Sequence, residues 1–324
     1  MRISLPATVA GAIAILIVAA GAGADTVGPI DFESYLPGPV IGQDSPPWTG
    51  GACGPPIDHA VVLNAANPNA PSSFQTKSFR ISNQVVSGCF NDAFTPQTSN
   101  EAGETTAQTS PLSAGARQPY YETQFIFASY TGALQPGLNV QVSPDRGDGA
   151  RMSFVRMRHT ATNLELEFVD VQGVDPPSTP TPCLSCANFV TTQLGTFSPA
   201  VPHTVRLTMQ FVDGPGNDIV KVFVDGALVH TGGSWEDYYT LDTESSPTPP
   251  RVSRTVDSLL VRASGSPAPD TALKGFLFDA MSVKTGPVPV DEVGGPGNGG
   301  GGGGPTAPTP TPADAVTAAP RFTG

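Results

Sequence analysis

PHTVRLTMQFVDGPGNDIVKVFVDGALVHTGGSWEDYYT, residues 202–240, decides the fold class. Val205, Leu207, Met209 and Phe211 alternate with Thr204, Arg206, Thr208 and Gln210, the two-residue period of a strand with one face buried and the other wet. Asp225-Gly226 stands between VKVFV and ALVHT. A two-residue hairpin turn there needs positive φ at both central positions, which Gly adopts freely and Asp tolerates. The stretch predicts a strand, then an antiparallel hairpin, then a loop, GGSWEDYYTLDTE, crowded with aromatic and acidic side chains.

Working outward, short strand-like segments run from Val27 to about Thr285, separated by Gly, Pro, Asn and Asp clusters: PIDFES, HAVVLN, KSFRIS, YYETQFIFASY, LNVQVSP, ARMSFVRMRH, LELEFVDVQ, FVTTQL, VDSLLVRAS and GFLFDAMSV. No helical pattern stands out among them. That many short strands, rich in β-branched and aromatic residues, predict an all-β chain folded as a two-sheet antiparallel sandwich or jelly roll. Residues 25–287 read as one such domain, since no linker-like stretch divides them.

The ends differ from this middle. Residues 1–24 have a single basic residue, Arg2, an apolar AIAILIVAA and a small-residue Ala22-Gly23-Ala24, which is the grammar of a secretory signal with Asp25 as the mature start. Residues 288–324 are a glycine run followed by Thr-Pro repeats, without the apolar mass to repay the entropy of folding, and predict a disordered tail. Export to the cell surface or medium suits the four cysteines. Two disulfides are the expectation, Cys53 with Cys89 and Cys183 with Cys186 across the CLSC loop. The net charge of −12 with four lysines argues against nucleic acid and against anionic membranes, and with no second membrane-length segment the mature chain is not expected to insert. It is compatible with neutral polysaccharides and divalent cations.

Three groups of residues carry possible chemistry. Glu165, Glu167 and Asp170 in NLELEFVDV look like a degraded form of the glucanase pattern Glu-x-Asp-x-x-Glu, in which paired carboxylates flank a scissile glycosidic bond. On a regular strand, however, the two glutamates share one face and Asp170 falls on the other. Trp235, Tyr238 and Tyr239 offer flat apolar faces with polar edges, the means by which sugar rings are gripped, with Glu236, Asp237 and Asp242 beside them to bond hydroxyls or hold a metal. The same aromatics would equally cap one end of a sandwich and seal its core. For a metal, Asp31, Glu33 and Asp279 supply hard oxygen ligands for calcium if the first and last strands pair, and Asp213 and Asp218 lie in a second acidic turn. No motif demands an organic cofactor.

IDFESYLPGPVIGQD, PPWTGG, the GNDIVKVFVDGALVHTG hairpin, SWEDYY, VDSLLVRASG and GFLFDAMSV together resemble bacterial secreted proteins of the concanavalin A-like lectin and glucanase superfamily. The resemblance implies a jelly roll with adjacent first and last strands, often a structural calcium, and a face or edge loop open to carbohydrate. It implies no reaction, because a shared fold does not carry a shared site. The expectation is a secreted, non-catalytic carbohydrate-binding module; the alternatives are an extracellular scaffold without a glycan ligand and a glucanase-like hydrolase.

Overall fold

A computed structural model describes residues 23–50, 57–86, 92–174 and 181–287. Residues 1–22, most of the segment read as a secretory signal, residues 288–324, read as the tail, and both Cys53 and Cys89 of the expected first disulfide lie outside those residues. In chain order the strands are β1 (Asp25–Ile30), β2 (His59–Leu63), β3 (Lys77–Ile81), β4 (Ala93–Phe94), β5 (Glu101–Ala102), β6 (Arg117–Gln118), β7 (Tyr120–Ser129), β8 (Asn139–Asp145), β9 (Phe154–His159), β10 (Leu164–Val174), β11 (Ala187–Phe197), β12 (His203–Gln210), β13 (Ile219–Val224), β14 (Ala227–Gly232), β15 (Ser258–Ala263) and β16 (Phe276–Gly286). One short helix, α1 (Glu236–Leu241), follows β14.

The strands form two antiparallel sheets. The larger has the order β14-β13-β12-β7-β16-β3-β2 with β1 also on β16, and the smaller has the order β11-β10-β9-β8-β15-β4. A separate parallel pair joins β5 to β6. First and last strands are neighbours, as the resemblance implied. The first half of β16 pairs with β3, and beyond a bulge between Asp279 and Ser282, where Ala280 takes φ 49°, the strand pairs with β1. The bulge turns the strand enough to serve two partners.

Alternation fills the space between the sheets. Phe79, Phe125, Phe127, Val205, Leu207, Met209, Phe276 and Phe278 come from the larger sheet, and Val140, Val142, Val155, Met157, Leu164, Leu166 and Phe168 from the smaller, all in one buried core. Each such fully buried side chain contributes roughly 1.5–3 kcal/mol of transfer free energy. The opening stretch behaves as its pattern predicts. Val205, Leu207, Met209 and Phe211 are buried, and Asp225 and Gly226 take φ 51° and 83°, the pair of positive angles a twist-matched hairpin turn requires. Asp225 also accepts a hydrogen bond from Thr204 N at 2.9 Å and meets His203 Nδ1 at 2.8 Å, tying the turn to β12.

Two expectations need correction. PIDFES is strand only through Ile30, because Phe32 turns into the left-handed region at φ 60° and drives its ring into the core. SWEDYY is not a loop. Its residues from Glu236 form α1, which packs on β10 and β11, and its buried aromatics fall at positions 235, 238 and 239, a helical spacing that a strand-rich context obscured. Among the described residues no helix is long and apolar enough to cross a membrane.

Candidate functional site

The outward face of the smaller sheet carries a line of polar side chains in register. Arg262 lies opposite Gln141, Gln141 opposite Arg156, Arg156 opposite Glu167, and Glu167 opposite Gln193. One step along, Asn139, Arg158, Glu165 and Thr196 make a second row. Residues directly opposite on antiparallel strands point to the same side, so both rows share this face, while Leu164, Leu166 and Phe168 of β10 point into the core.

Ion pairs order the rows. Arg156 Nε donates to Glu167 Oε2 at 2.6 Å, Arg158 reaches Glu165 Oε2 at 2.7 Å, and Arg158 Nε lies 2.9 Å from Glu167 Oε1. The Arg156 and Arg158 side chains remain 26% and 42% exposed, which leaves donor edges facing solvent. Gln141 is different. Its Oε1 accepts from Ser264 Oγ at 3.1 Å, while its buried Nε2 has no hydrogen-bond partner among the described residues. A buried amide donor left unmade costs about 1–3 kcal/mol.

Asp170 does not join Glu165 and Glu167. It is fully buried on the core side of β10, where Oδ2 accepts from Gly233 N at 3.2 Å and the Gln172 amide stands 3.3 Å away. Burial raises its carboxyl above the ordinary range, against the Gly233 and Gln172 hydrogen bonds. Strand parity separates the three acids, and the two glutamates are held by guanidiniums.

The aromatic group folds inward rather than outward. Trp235 is 1% exposed; its Nε1 donates to Val169 O at 3.3 Å, its ring meets Phe154 at 5.7 Å and Phe189 at 5.1 Å edge-on, and the Arg151 guanidinium sits 4.6 Å above it. Tyr239 is buried too, its hydroxyl donating to Arg151 O at 2.6 Å. Trp235 and Tyr239 therefore correct the sugar-platform expectation: they seal α1 onto the sheet. Tyr238 and Asp237 are half-buried at the margin of this seal, Tyr238 stacking edge-on with Phe189. Beside them the Cys183–Cys186 disulfide forms as expected. Asp242, fully committed to that loop, accepts from Cys186 N at 2.8 Å and Glu244 N at 2.8 Å.

The metal candidates are redistributed. Pairing of β1 with β16 does bring Asp31 and Glu33 near enough to bear on Asp279, whose carboxyl is pushed up to about 7 by burial, opposed by the Ala280 N–H and reinforced by those two charges. Glu33 spends its carboxylate on Thr76 N and Lys77 N, both at 2.9 Å. Among the described residues the three carboxylates whose oxygens converge within 4.8 Å are instead Glu104, Asp218 and Glu236, all buried. Burial and mutual repulsion push Glu236 up to about 8 and Asp218 to about 6. Asp218 accepts from Val212 N at 2.9 Å and Ser234 Oγ at 2.5 Å, and Glu236 accepts from Asn217 N at 2.8 Å. The sequence pointed to Asp218 in its acidic turn and to Glu236 in the aromatic segment as separate oxygen donors; only Glu104, more than a hundred residues earlier, left no local signal.

No family model matches the chain, and no curated protein matches it. Among solved structures, the alginate lyase Aly36B is similar over 82% of this chain and 98% of its own, at 10% identity and a TM-score of 0.37. A mutant of that enzyme in complex with alginate tetrasaccharide gives 9% identity and a TM-score of 0.40 over the same shares. A sialidase covers 51% of this chain and 13% of its own, at 9% identity and a TM-score of 0.28. Superpositions of that quality carry nothing about site or substrate.

Proposed function

We propose that this is a secreted or cell-surface module of the concanavalin A-like kind that binds a hydroxyl-rich polysaccharide along the outward face of the smaller sheet. The observation that supports it is the row Arg262–Gln141–Arg156–Glu167–Gln193 and the parallel row through Arg158, in which the Arg156 and Arg158 guanidiniums keep donor edges in solvent. Alternating donors and acceptors across neighbouring strands, spaced at about 5 Å, suit a chain of hydroxyls laid over a sheet. Arg262 is buried and feels both Arg151 and Asp92, while the two guanidiniums that reach solvent on this face, Arg156 and Arg158, are balanced by Glu167 and Glu165. That balance, on a chain of net charge −12, favours a neutral glycan over a polyanion.

The proposal is binding without turnover. A general acid and a nucleophile or base must flank the sugar bond about 5–10 Å apart and so project from the same face of the sheet, whereas Glu165 and Glu167 are fixed by arginines and Asp170 is on the other side of the sheet. Affinity electrophoresis in gels containing neutral β-glucan or alginate tests it. Retardation in neutral glucan that is abolished in Arg156→Ala and in Arg158→Ala, with thermal midpoints retained, is the expected result. Retention of mobility in every polysaccharide would reject it and leave the scaffold alternative.

A further inference from the structure

Glu104, Asp218 and Glu236 reach one another from three distant parts of the chain: the segment after β5, the residue before β13 and the first residue of α1. They are 8%, 7% and 4% exposed, so all three carboxylates are more than nine-tenths withdrawn from water. None of them belongs to the rows proposed to bind polysaccharide.

The protein satisfies two of the three acids in part. Asp218 accepts from Val212 N and Ser234 Oγ, and Glu236 Oε1 accepts from Asn217 N. Glu104 differs: no N–H or O–H among the described residues donates to its carboxylate, and the side chain it meets is the Glu236 carboxylate. The neighbouring cation is spent elsewhere. Arg117 pairs with Glu101 Oε1 at 2.9 Å and gives its other donors to the Glu104 and Ala107 carbonyls and to Thr109. Contacts independent of α1 deliver Glu104 to this place, since the adjoining Thr105 donates from N and from Oγ1 to the Asp213 carboxylate, both at 2.8 Å. A buried carboxylate with neither donor nor counter-charge is costly, and buried charges are otherwise found paired or on a metal ion.

The geometry points to a calcium site formed by Glu104, Asp218 and Glu236. Two oxygens bound to one calcium at about 2.4 Å lie about 3.4 Å apart at a right angle and about 4.8 Å apart across the ion. The three sets of oxygens here converge within that same 4.8 Å. The set is all carboxylate, without the imidazole or thiolate that zinc and copper favour. Ligands drawn from three separate segments suit the flexible shell of calcium better than the near-ideal octahedron magnesium demands. A doubly charged ion removes most of the repulsion among three carboxylates, which in the metal-free chain only the packing of α1 opposes. It also ties α1 to β13 and to the segment after β5, elements that no strand pairing joins.

Calorimetric titration of calcium chloride into the full chain, stripped with chelator, tests the site. One ion should bind per chain, with magnesium chloride at least tenfold weaker. Glu104→Gln and Glu236→Gln keep the side-chain shape while removing a charge, and each should weaken calcium about tenfold or more with the far-ultraviolet dichroism unchanged. Asp31→Asn should leave the titration as in the parent, which sets this site apart from the acids near β1, and so should Arg156→Ala, which sets it apart from the glycan face. Trp235 directly precedes Glu236, so terbium(III), a luminescent stand-in for calcium, should emit on indole excitation and lose that emission when calcium is added. Absence of both calcium heat and terbium emission in the parent overturns the inference. So does undiminished calcium affinity in both Gln variants, or a titration abolished by Asp31→Asn.

Discussion

Replacing Trp235 by Ala separates two roles that the sequence left open, a stacking platform for sugar and a seal over the core. The indole is 1% exposed, and burying an aromatic side chain of this size removes about 200 Å² from water, worth about 5 kcal/mol at 25 cal/mol per Å². Partial collapse of the surrounding Phe154, Phe189 and Tyr238 recovers some of that, whereas loss of the Arg151 cation over the ring at 4.6 Å adds about 1 kcal/mol. The expected loss is about 4 kcal/mol, near the middle of what large-to-small core changes cost. Urea denaturation followed by tyrosine fluorescence and far-ultraviolet dichroism measures it. In Trp235→Phe the ring is kept but Val169 O loses its donor, and the loss should fall to about 1–2 kcal/mol. Retained stability in Trp235→Ala, within about 1 kcal/mol of the parent, together with lost glycan binding, would refute the seal and restore the platform.

Other perturbations test the remaining structural claims. Folded Glu236 titrates near 8 and folded Asp218 near 6, both above their unfolded values, so the folded chain holds more protons and stability falls as pH rises from about 4.5 to 8. In chelator-treated protein, Glu236→Gln should flatten that slope and gain about 2 kcal/mol over the parent at pH 8.5, a figure reduced by about half for water reaching the cluster; a parallel pair of stability curves would contradict it. Calcium added at pH 8 should raise the melting temperature of the parent but not of Glu236→Gln if the three carboxylates take a hard cation, as calorimetry would show. Gly275→Ala should cost about 3 kcal/mol or more in urea, because Gly275 takes φ 100° and its Cβ would fall 2.0 Å from Ile81 O.

What was legible in the sequence was local and periodic. Val205 to Phe211 declare their buried face by alternation, and Asp225-Gly226 declares its turn by the positive φ that only a few residues accept. The separation of Asp170 from Glu165 and Glu167 was equally readable, since it needs only the parity of one strand. What was not legible depends on pairings between distant strands. Arg262, Gln141, Arg156 and Glu167 are drawn from β15, β8, β9 and β10, and no spacing within any one of these segments announces that register places them in line.

The aromatic segment shows why residue type alone misled. Trp, Tyr and Tyr beside acids are equally suited to gripping a sugar and to closing a sandwich, and the choice lies with what the helix packs on. Here α1 lands on Val169, Val171 and Phe189 of β10 and β11, apolar residues on an otherwise polar outward face, which would be wet without it. Covering that patch favours an inward Trp235 by several kcal/mol over any gain from an exposed ring. The cost is electrostatic: folding α1 down drives Glu236 against Asp218 and Glu104 with their charges uncompensated. Near pH 5 a proton relieves that repulsion, and above pH 8 the hydrophobic seal alone must outweigh it. The opposing changes expected for Trp235→Ala and Glu236→Gln are therefore two sides of one balance, and the double variant at pH 8.5 should lie close to the sum of the two single effects only if the seal and the carboxylates act on separate contacts of the same helix.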